Sequence, residues 1–181
     1  MFGATRFIIE AMSTAIRQRP AVRHARPSDA AALHTLQAEI YAEGRWFVGD
    51  GPPSAQALER RLRAFGDEMT LYLVAIPPKG EVCAWLELHR LTPKRLRHVA
   101  MLTLAVSRGW RQRGVATKLL DSAYSWAEER GVQKVQLNVR SNNGAALALY
   151  KAQGFEHEGC ERAQIREGER YEDNLLMAKF L

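Results

Sequence analysis

The run HVAMLTLAV, His98 to Val106, is apolar at nearly every position. A strand with one wet face alternates apolar and polar residues, so a run without alternation reads as a central strand covered on both faces. Such a strand needs neighbours in its sheet and helices above and below it, and the flanking sequence supplies both. AVRHARPSD, Ala21 to Asp29, reads as a short strand, a turn at Pro27 and a helix N-cap at Ser28 or Asp29. Leu33, Leu36, Ile40 and Tyr41 follow at helical spacing. GRWFVGDGPPS is a Gly/Pro-rich loop whose two aromatics, Trp46 and Phe47, read as exposed, and Ser54 caps a second helix from Ala55 to Phe65.

The period then changes to that of strands. TLYLVAIP and EVCAWLELHR flank a hairpin turn made of Pro77, Pro78, Lys79 and Gly80. Beyond the central strand, Gly114 to Arg130 places Val115, Leu119, Ala123 and Trp126 on one helix face and stops at Gly131. VQKVQLNV is a strand, Asn143 to Gln153 a helix ended by Gly154, and two last strands lie near Phe155 to Arg162 and Tyr171 to Phe180. This order predicts an α/β fold with a mixed sheet and helices on both faces. The domain is expected over residues 21–181, behind an N-terminal arm of residues 1–20 in which Met12 is an alternative start.

Bulk properties exclude several classes. A chain of 181 residues suits one domain with a sizeable core. No apolar run approaches the ~20 residues of a transmembrane helix, and the three-residue apolar stretch at Phe7 is too short for a signal peptide. Two cysteines, Cys83 and Cys160, make neither a disulfide framework nor a zinc site, which suits a reducing cytoplasm. The net charge of +6 invites a nucleic-acid reading, but the arginines are scattered without interleaved aromatics, so no nucleic-acid partner is expected. Basic clusters at Arg60, Arg61 and Arg63, and at Lys94, Arg95 and Arg97, read as solvated faces. The five histidines have no metal-ligand spacing, and no G-x-S-x-G elbow of a hydrolase is present.

What remains is the junction SRGWRQRGVATKLL, Ser107 to Leu120, where strand gives way to helix. The first amides of a helix have no internal partner and sit at the positive end of its dipole, which makes the site ready for a phosphate. Gly114 lets an anion approach the backbone, Ala116 keeps the next turn low, and Thr117 offers a hydroxyl. Arg111 and Arg113 add positive charge. Gly109 and Gly114 have P-loop spacing, but Val115 and Ala116 stand where lysine and a hydroxyl residue belong, so a nucleoside triphosphatase is excluded. A basic turn with no ligand is the alternative.

Arg111-Gln112-Arg113-Gly114-Val115-Ala116 resembles the Q/R-x-x-G-x-G/A motif of the GNAT superfamily of acyl-CoA-dependent N-acetyltransferases. LNVRSNNGAALALYKAQGF resembles a second hallmark of that family, with Asn143, Ala146 and Tyr150 ahead of Gly154-Phe155, and EGERYEDNLLMAKFL looks like its final strand. The likeness runs from about Ala21 to the C-terminus. It implies a mostly antiparallel sheet of about seven strands, splayed between the fourth and fifth and flanked by about four helices. It also implies acetyl-CoA as co-substrate with no metal, its pyrophosphate on the amides of Arg111, Gln112, Arg113, Gly114, Val115, Ala116 and Thr117. Pantetheine would pair with the backbone of Leu104, Ala105 and Val106, and Asn143 would hydrogen-bond it, beside Ala146. Members often pair as homodimers through their last strands.

Asn143, Ala146 and Tyr150 share one helix face by spacing. By analogy Tyr150 lies beside the thioester sulfur, where a neutral phenol can protonate a departing thiolate; packing the helix onto the sheet is the alternative. Asn143 or Asn142 also reads as a plain N-cap. The acceptor amine must lose a proton, and no fixed family position supplies the base. Glu87 and His89 share a strand face with Trp85, so Glu87 is the first candidate and His98 a weaker one. A solvent-facing strand side is the alternative. Trp46, Phe47 and His89 are candidates for the acceptor site, with Glu43 and Asp50 suited to a cationic amine and the hairpin from Glu167 to Asp173 contributing. The expected activity is acetyl transfer to a small amine, an amino acid or a peptide N-terminus. A CoA-binding sensor without turnover is the second reading.

Overall fold

The computed structural model describes residues 19–64 and 68–181. The arm expected over residues 1–20, apart from Arg19 and Pro20, and the Phe65 end of the second helix lie outside the described residues. Seven strands form one sheet: β1 (Ala21–His24), β2 (Thr70–Ile76), β3 (Ala84–Arg90), β4 (Val99–Val106), β5 (Lys134–Arg140), β6 (Glu156–Glu167) and β7 (Arg170–Phe180), in the spatial order β1-β2-β3-β4-β5-β7-β6. Four α-helices are described: α1 (Ala30–Ala42), α2 (Ala55–Ala64), α3 (Val115–Glu129) and α4 (Gly144–Ala152).

Every neighbouring pair is antiparallel except β4 and β5. These two are joined by α3, and a helix crossover is what a parallel pair requires. The pair is brief: it runs Val99↔Lys134, Ala100↔Val135, Met101↔Gln136 and stops. Both strands go on beyond that point. β4 stays with β3 as far as Val106↔Ala84, and β5 stays with β7 as far as Arg140↔Asn174. The sheet is therefore split along its middle, between the fourth and fifth strands as expected.

Alternation along the strands feeds two cores. Leu71, Leu73, Leu86, Leu88, Ala100 and Leu102 face α3, whose Val115, Leu119, Leu120, Ala123 and Trp126 are buried against them. Each fully buried leucine there stabilises the fold by roughly 1.5–3 kcal/mol. Tyr72, Val74 and Trp85 face the other way and are covered by Leu33, Leu36, Ile40 and Leu58 of α1 and α2. This coverage makes β2 and β3 buried along almost their whole length.

Local signals account for the helix ends. Ser54 Oγ accepts from the Ala57 amide at 3.2 Å, as expected of a cap. Asp29 precedes α1 but does not cap it by its side chain. Its carboxylate instead accepts from both Arg23 guanidinium nitrogens (2.7 and 2.8 Å) and from the Arg26 amide (2.7 Å), tying β1 to the turn. That pairing, the hydrogen bonds from Arg23 first, holds the Asp29 carboxyl below its ordinary range.

Candidate active site

The junction of β4 and α3 is built on two left-handed residues. Gln112 has φ +58° and Gly114, the residue before α3, has φ +74°. A side chain at Gly114 would be strained by that backbone, yet a Cβ there would meet nothing within 4 Å. Glycine is thus required by conformation, and the space in front of it is open. The ladder of α3 opens with the Lys118 amide on the Gly114 carbonyl (3.1 Å), so the amides of Val115, Ala116 and Thr117 precede the first i to i−4 bond. An open cradle, a helix N-terminus and no obstructing side chain fit a pyrophosphate.

Arg111 does something the sequence did not indicate. Its Nε donates to the Val106 carbonyl at 3.0 Å, and its terminal nitrogens pair with both carboxylate oxygens of Glu43. Trp46 Nε1 donates to the same carboxylate at 2.7 Å, and the Arg111 guanidinium lies 5.4 Å from the Trp46 ring centroid. The Arg111 hydrogen bond is the largest cause holding the Glu43 carboxyl below its ordinary range. Two expectations change. The charge of Arg111 is already paired with Glu43, and the Glu43 carboxylate is taken up by Arg111 and Trp46. Trp46 is half-buried and tied to the same ion pair, and it is not among the residues lining the pocket under α1 and α2. Arg113 keeps an exposed side chain, its guanidinium over the Trp110 ring.

Leu104 and Val106 pack on the α3 core, whereas Ala105 points to the α1–α2 side, as alternation requires. The same α3 core takes in Ala146 and Tyr150 of α4. Asn143 is the N-cap of α4, its Oδ1 accepting from the Ala146 amide at 3.1 Å. Capping therefore occupies one lone pair of that oxygen and leaves its amide nitrogen for other contacts. Tyr150 is 7% exposed, and its ring lies 5.4 Å from that of Phe155, tilted 58°. Burial pushes its hydroxyl up to about 12, so it is a neutral donor throughout the physiological range.

On the other face, under α1 and α2, lies a pocket of about 350 Å³. Trp85, Glu87 and His89 of β3 and Met101 and Thr103 of β4 form its floor, and Phe47 and Arg61 are among its walls. The face carrying Glu87 is not solvent-facing. Glu87 is 8% exposed and pairs with Arg61. Burial raises its carboxyl above the ordinary range, and the nearby Arg61 and His89 offset only part of that rise. A buried carboxylate of raised pKa is a better proton acceptor than an exposed one. His89 is partly occupied by Thr70, whose Oγ1 lies 2.7 Å from Nδ1. His98 is exposed at the head of β4 and does not line the pocket.

Arg61, one of the residues expected on a solvated face, is exposed, and it also lines the pocket. A signal existed: Leu58 is the buried residue of α2, and Arg61, three positions on, shares its face. Gln37 and Tyr72, joined by a 2.9 Å hydrogen bond, also line the pocket, and nothing in the sequence paired them. The hairpin from Glu167 to Asp173 is not among the lining residues. It is held by Arg140, 4% exposed, which bonds Glu167 at 2.6 Å and Glu172 at 2.9 Å.

The structure thus has a sheet opened between β4 and β5, a helix N-terminus with open space at the junction after β4, and a pocket lined by a buried carboxylate under α1 and α2. The chain matches the Acetyltransferase (GNAT) family over residues 32–155, and it belongs to that family.

Relatives agree with this. The chain is 28% identical over 135 residues to the [Ribosomal protein bS18]-alanine N-acetyltransferase of Salmonella typhimurium, covering 70% of this chain and 88% of the relative. It is 28% identical over 162 residues to the L-amino acid N-acetyltransferase AaaT of Escherichia coli, covering 87% and 96%. Among solved structures, a GNAT-family acetyltransferase from Streptococcus pneumoniae superposes with a TM-score of 0.82 at 28% identity, covering 90% of this chain and 99% of that one. A Salmonella typhimurium protein solved with acetyl-CoA has the same fold at TM-score 0.81 and 18% identity, covering 90% and 94%. Like those relatives, the chain is an N-acetyltransferase by family. Among the described residues no helix is long and apolar enough to cross a membrane.

Proposed function

We propose that this N-acetyltransferase moves the acetyl group of acetyl-CoA onto the primary amine of a small amine, an amino acid or a peptide N-terminus. One observation carries the reading: β4 and β5 part beyond Met101 and Gln136, with the amides of α3 at the end of the opening. The phosphates would lie on the amides from Arg111 to Thr117, and the pantetheine along Leu104, Ala105 and Val106, whose edge toward β5 has no strand partner. Asn143 and Ala146 would flank it from α4. When bound, acetyl-CoA supplies a thioester acyl group, and the remaining chemistry belongs to the chain.

Glu87, a buried carboxylate lining the pocket, takes a proton from the ammonium so that the nitrogen lone pair can attack the acyl carbon directly. The C–N bond forms as the C–S bond breaks. Tyr150, a neutral phenol, donates its O–H to the sulfur as negative charge gathers there. The second proton, shed by the new amide nitrogen, passes through water to restore the phenol, while the proton on Glu87 leaves to solvent. Arg61 beside Glu87 keeps that carboxylate ionisable despite its burial. The alanine and amino-acid acceptors named for the two relatives support the acceptor class. Two free cysteines, one buried and one exposed, accord with a reducing cytoplasm. Exposed Tyr171 and Phe180 on β7 accord with a homodimer through the last strands, which light scattering of the purified protein tests.

The test is a thermal-shift titration with acetyl-CoA, then acetyl transfer to a panel of amines, amino acids and peptides. Stabilisation together with turnover on one acceptor class is expected. Stabilisation without turnover on any amine would favour a CoA-binding sensor, and no stabilisation would remove the cradle.

A further inference from the structure

Two features of the acceptor pocket go beyond a generic amine site. The first is a column of rings. Tyr41 and Phe47 stack with centroids 5.1 Å apart, Phe47 and Trp85 at 6.1 Å, and Tyr72 and Trp85 at 5.7 Å, with interplanar angles of 17–21°. All four residues line the pocket, and they come from α1, the loop after it, β3 and β2. Tyr72 and Trp85 are buried, whereas Tyr41 and Phe47 are half-buried and keep surface to offer a ligand.

The second feature is charge. Among the described residues lining the pocket, one carboxylate, Glu87, stands with one guanidinium, Arg61, and one imidazole, His89. A second ammonium on the acceptor would find no second carboxylate and would meet Arg61 instead. Polyamines and other polycations are therefore poor fits.

Trp85 and Glu87 lie two residues apart on one strand face, an interval of about 7 Å. A flat apolar body against the surface that Tyr41 and Phe47 keep would share the pocket with that carboxylate, within reach of an amino group on a short alkyl stem. We infer that the preferred acceptor is a monoamine carrying an aromatic group on a short alkyl stem, as in an aromatic α-amino acid or the same residue at a peptide N-terminus. The inference rests on the transferase reading and names the substrate class of that site.

The experiment compares kcat/KM for phenylalanine, phenylalaninamide and a tripeptide beginning with phenylalanine against glycine and spermidine, using the full chain and acetyl-CoA. Binding of each amine without acetyl-CoA is followed in parallel by tryptophan fluorescence. At least one aryl acceptor is expected to exceed both glycine and spermidine by about tenfold or more, the range of one aromatic contact. Which aryl acceptor leads tells whether the carboxylate, the amide or the peptide is the source. In Phe47→Ala, that preference should shrink about tenfold with the melting curve still cooperative; an unchanged ratio would remove the ring column from recognition. Turnover with glycine or spermidine equal to the aryl acceptors overturns the inference and leaves the transferase reading intact. Tight aryl-amine binding with no acetyl transfer does the reverse.

Discussion

Gly114 is the position at which fold and ligand can be separated most cleanly. In Gly114→Ala the added methyl meets nothing within 4 Å, so the change acts on the free protein only through its backbone angle of +74°. Holding alanine in the left-handed region costs roughly 1–2 kcal/mol. The stiffer unfolded chain returns roughly 0.4–1 kcal/mol. The net loss is about 1 kcal/mol, or about 2–4 °C in melting temperature for a domain of this size. Gly114→Glu has the same backbone strain, but a carboxylate at a helix N-terminus regains roughly 0.3–1 kcal/mol. The two variants should therefore melt close together. Acetyl-CoA separates them. At about 100 times its Kd it stabilises the native protein by about 2.7 kcal/mol, a rise of about 5–10 °C. In Gly114→Glu that rise should vanish, because side chain and negative charge both occupy the cradle. The assay is a melting curve of each variant with and without saturating acetyl-CoA. A folded Gly114→Glu protein that still gained 5–10 °C would falsify the placement of the pyrophosphate.

Tyr150→Phe removes one hydroxyl from a packed ring, so acetyl-CoA should shift its melting point as in the native chain while kcat falls about a hundredfold or more. Equal kcat across a pH series would take Tyr150 out of the reaction. Burial raises the Glu87 carboxyl above its unfolded value. Its contribution to stability is therefore full below the unfolded pKa and is lost as pH rises through the folded one. Relative to Glu87→Gln, the native chain should accordingly lose melting temperature as pH rises above the ordinary carboxylate range, and the same substitution should flatten the rise of kcat/KM with pH. A constant difference in melting temperature would mean that Glu87 titrates normally. Arg140→Ala strands Glu172 and Glu167 without their guanidinium; a loss of about 2 kcal/mol is expected in urea unfolding, and a loss under half of that would mean the pair is solvent-screened.

The fold was legible because its signals are local. An apolar run with no alternation marked β4, and the apolar face of α3 declared itself at 3.6-residue spacing. Glycines marked the stops. The proposed donor half of the site is equally local: Arg111 to Thr117 is one continuous stretch, and a cradle made of backbone amides would depend on chain order and on one glycine. Where the reading failed, the partner came from far along the chain. Glu43 was read as an acid waiting for an amine, yet Arg111, distant in sequence, takes both its oxygens. Arg61 is exposed as its basic cluster suggests, but its pairing with Glu87, distant in sequence, has no local sign.

Sequence by itself determined the sheet with two covered faces, the helix that crosses it and the positive, side-chain-free junction, since each is set by periodicity or backbone conformation within a few residues. Tertiary structure alone decided what the charged and aromatic side chains face. It closed β3 under α1 and α2, so that Glu87 became a buried carboxylate of raised pKa. It also stacked Tyr41, Phe47, Trp85 and Tyr72 into one column. The physical reason is that burial and pairing depend on which surfaces meet. That is fixed by the packing of elements distant along the chain, which no local pattern encodes.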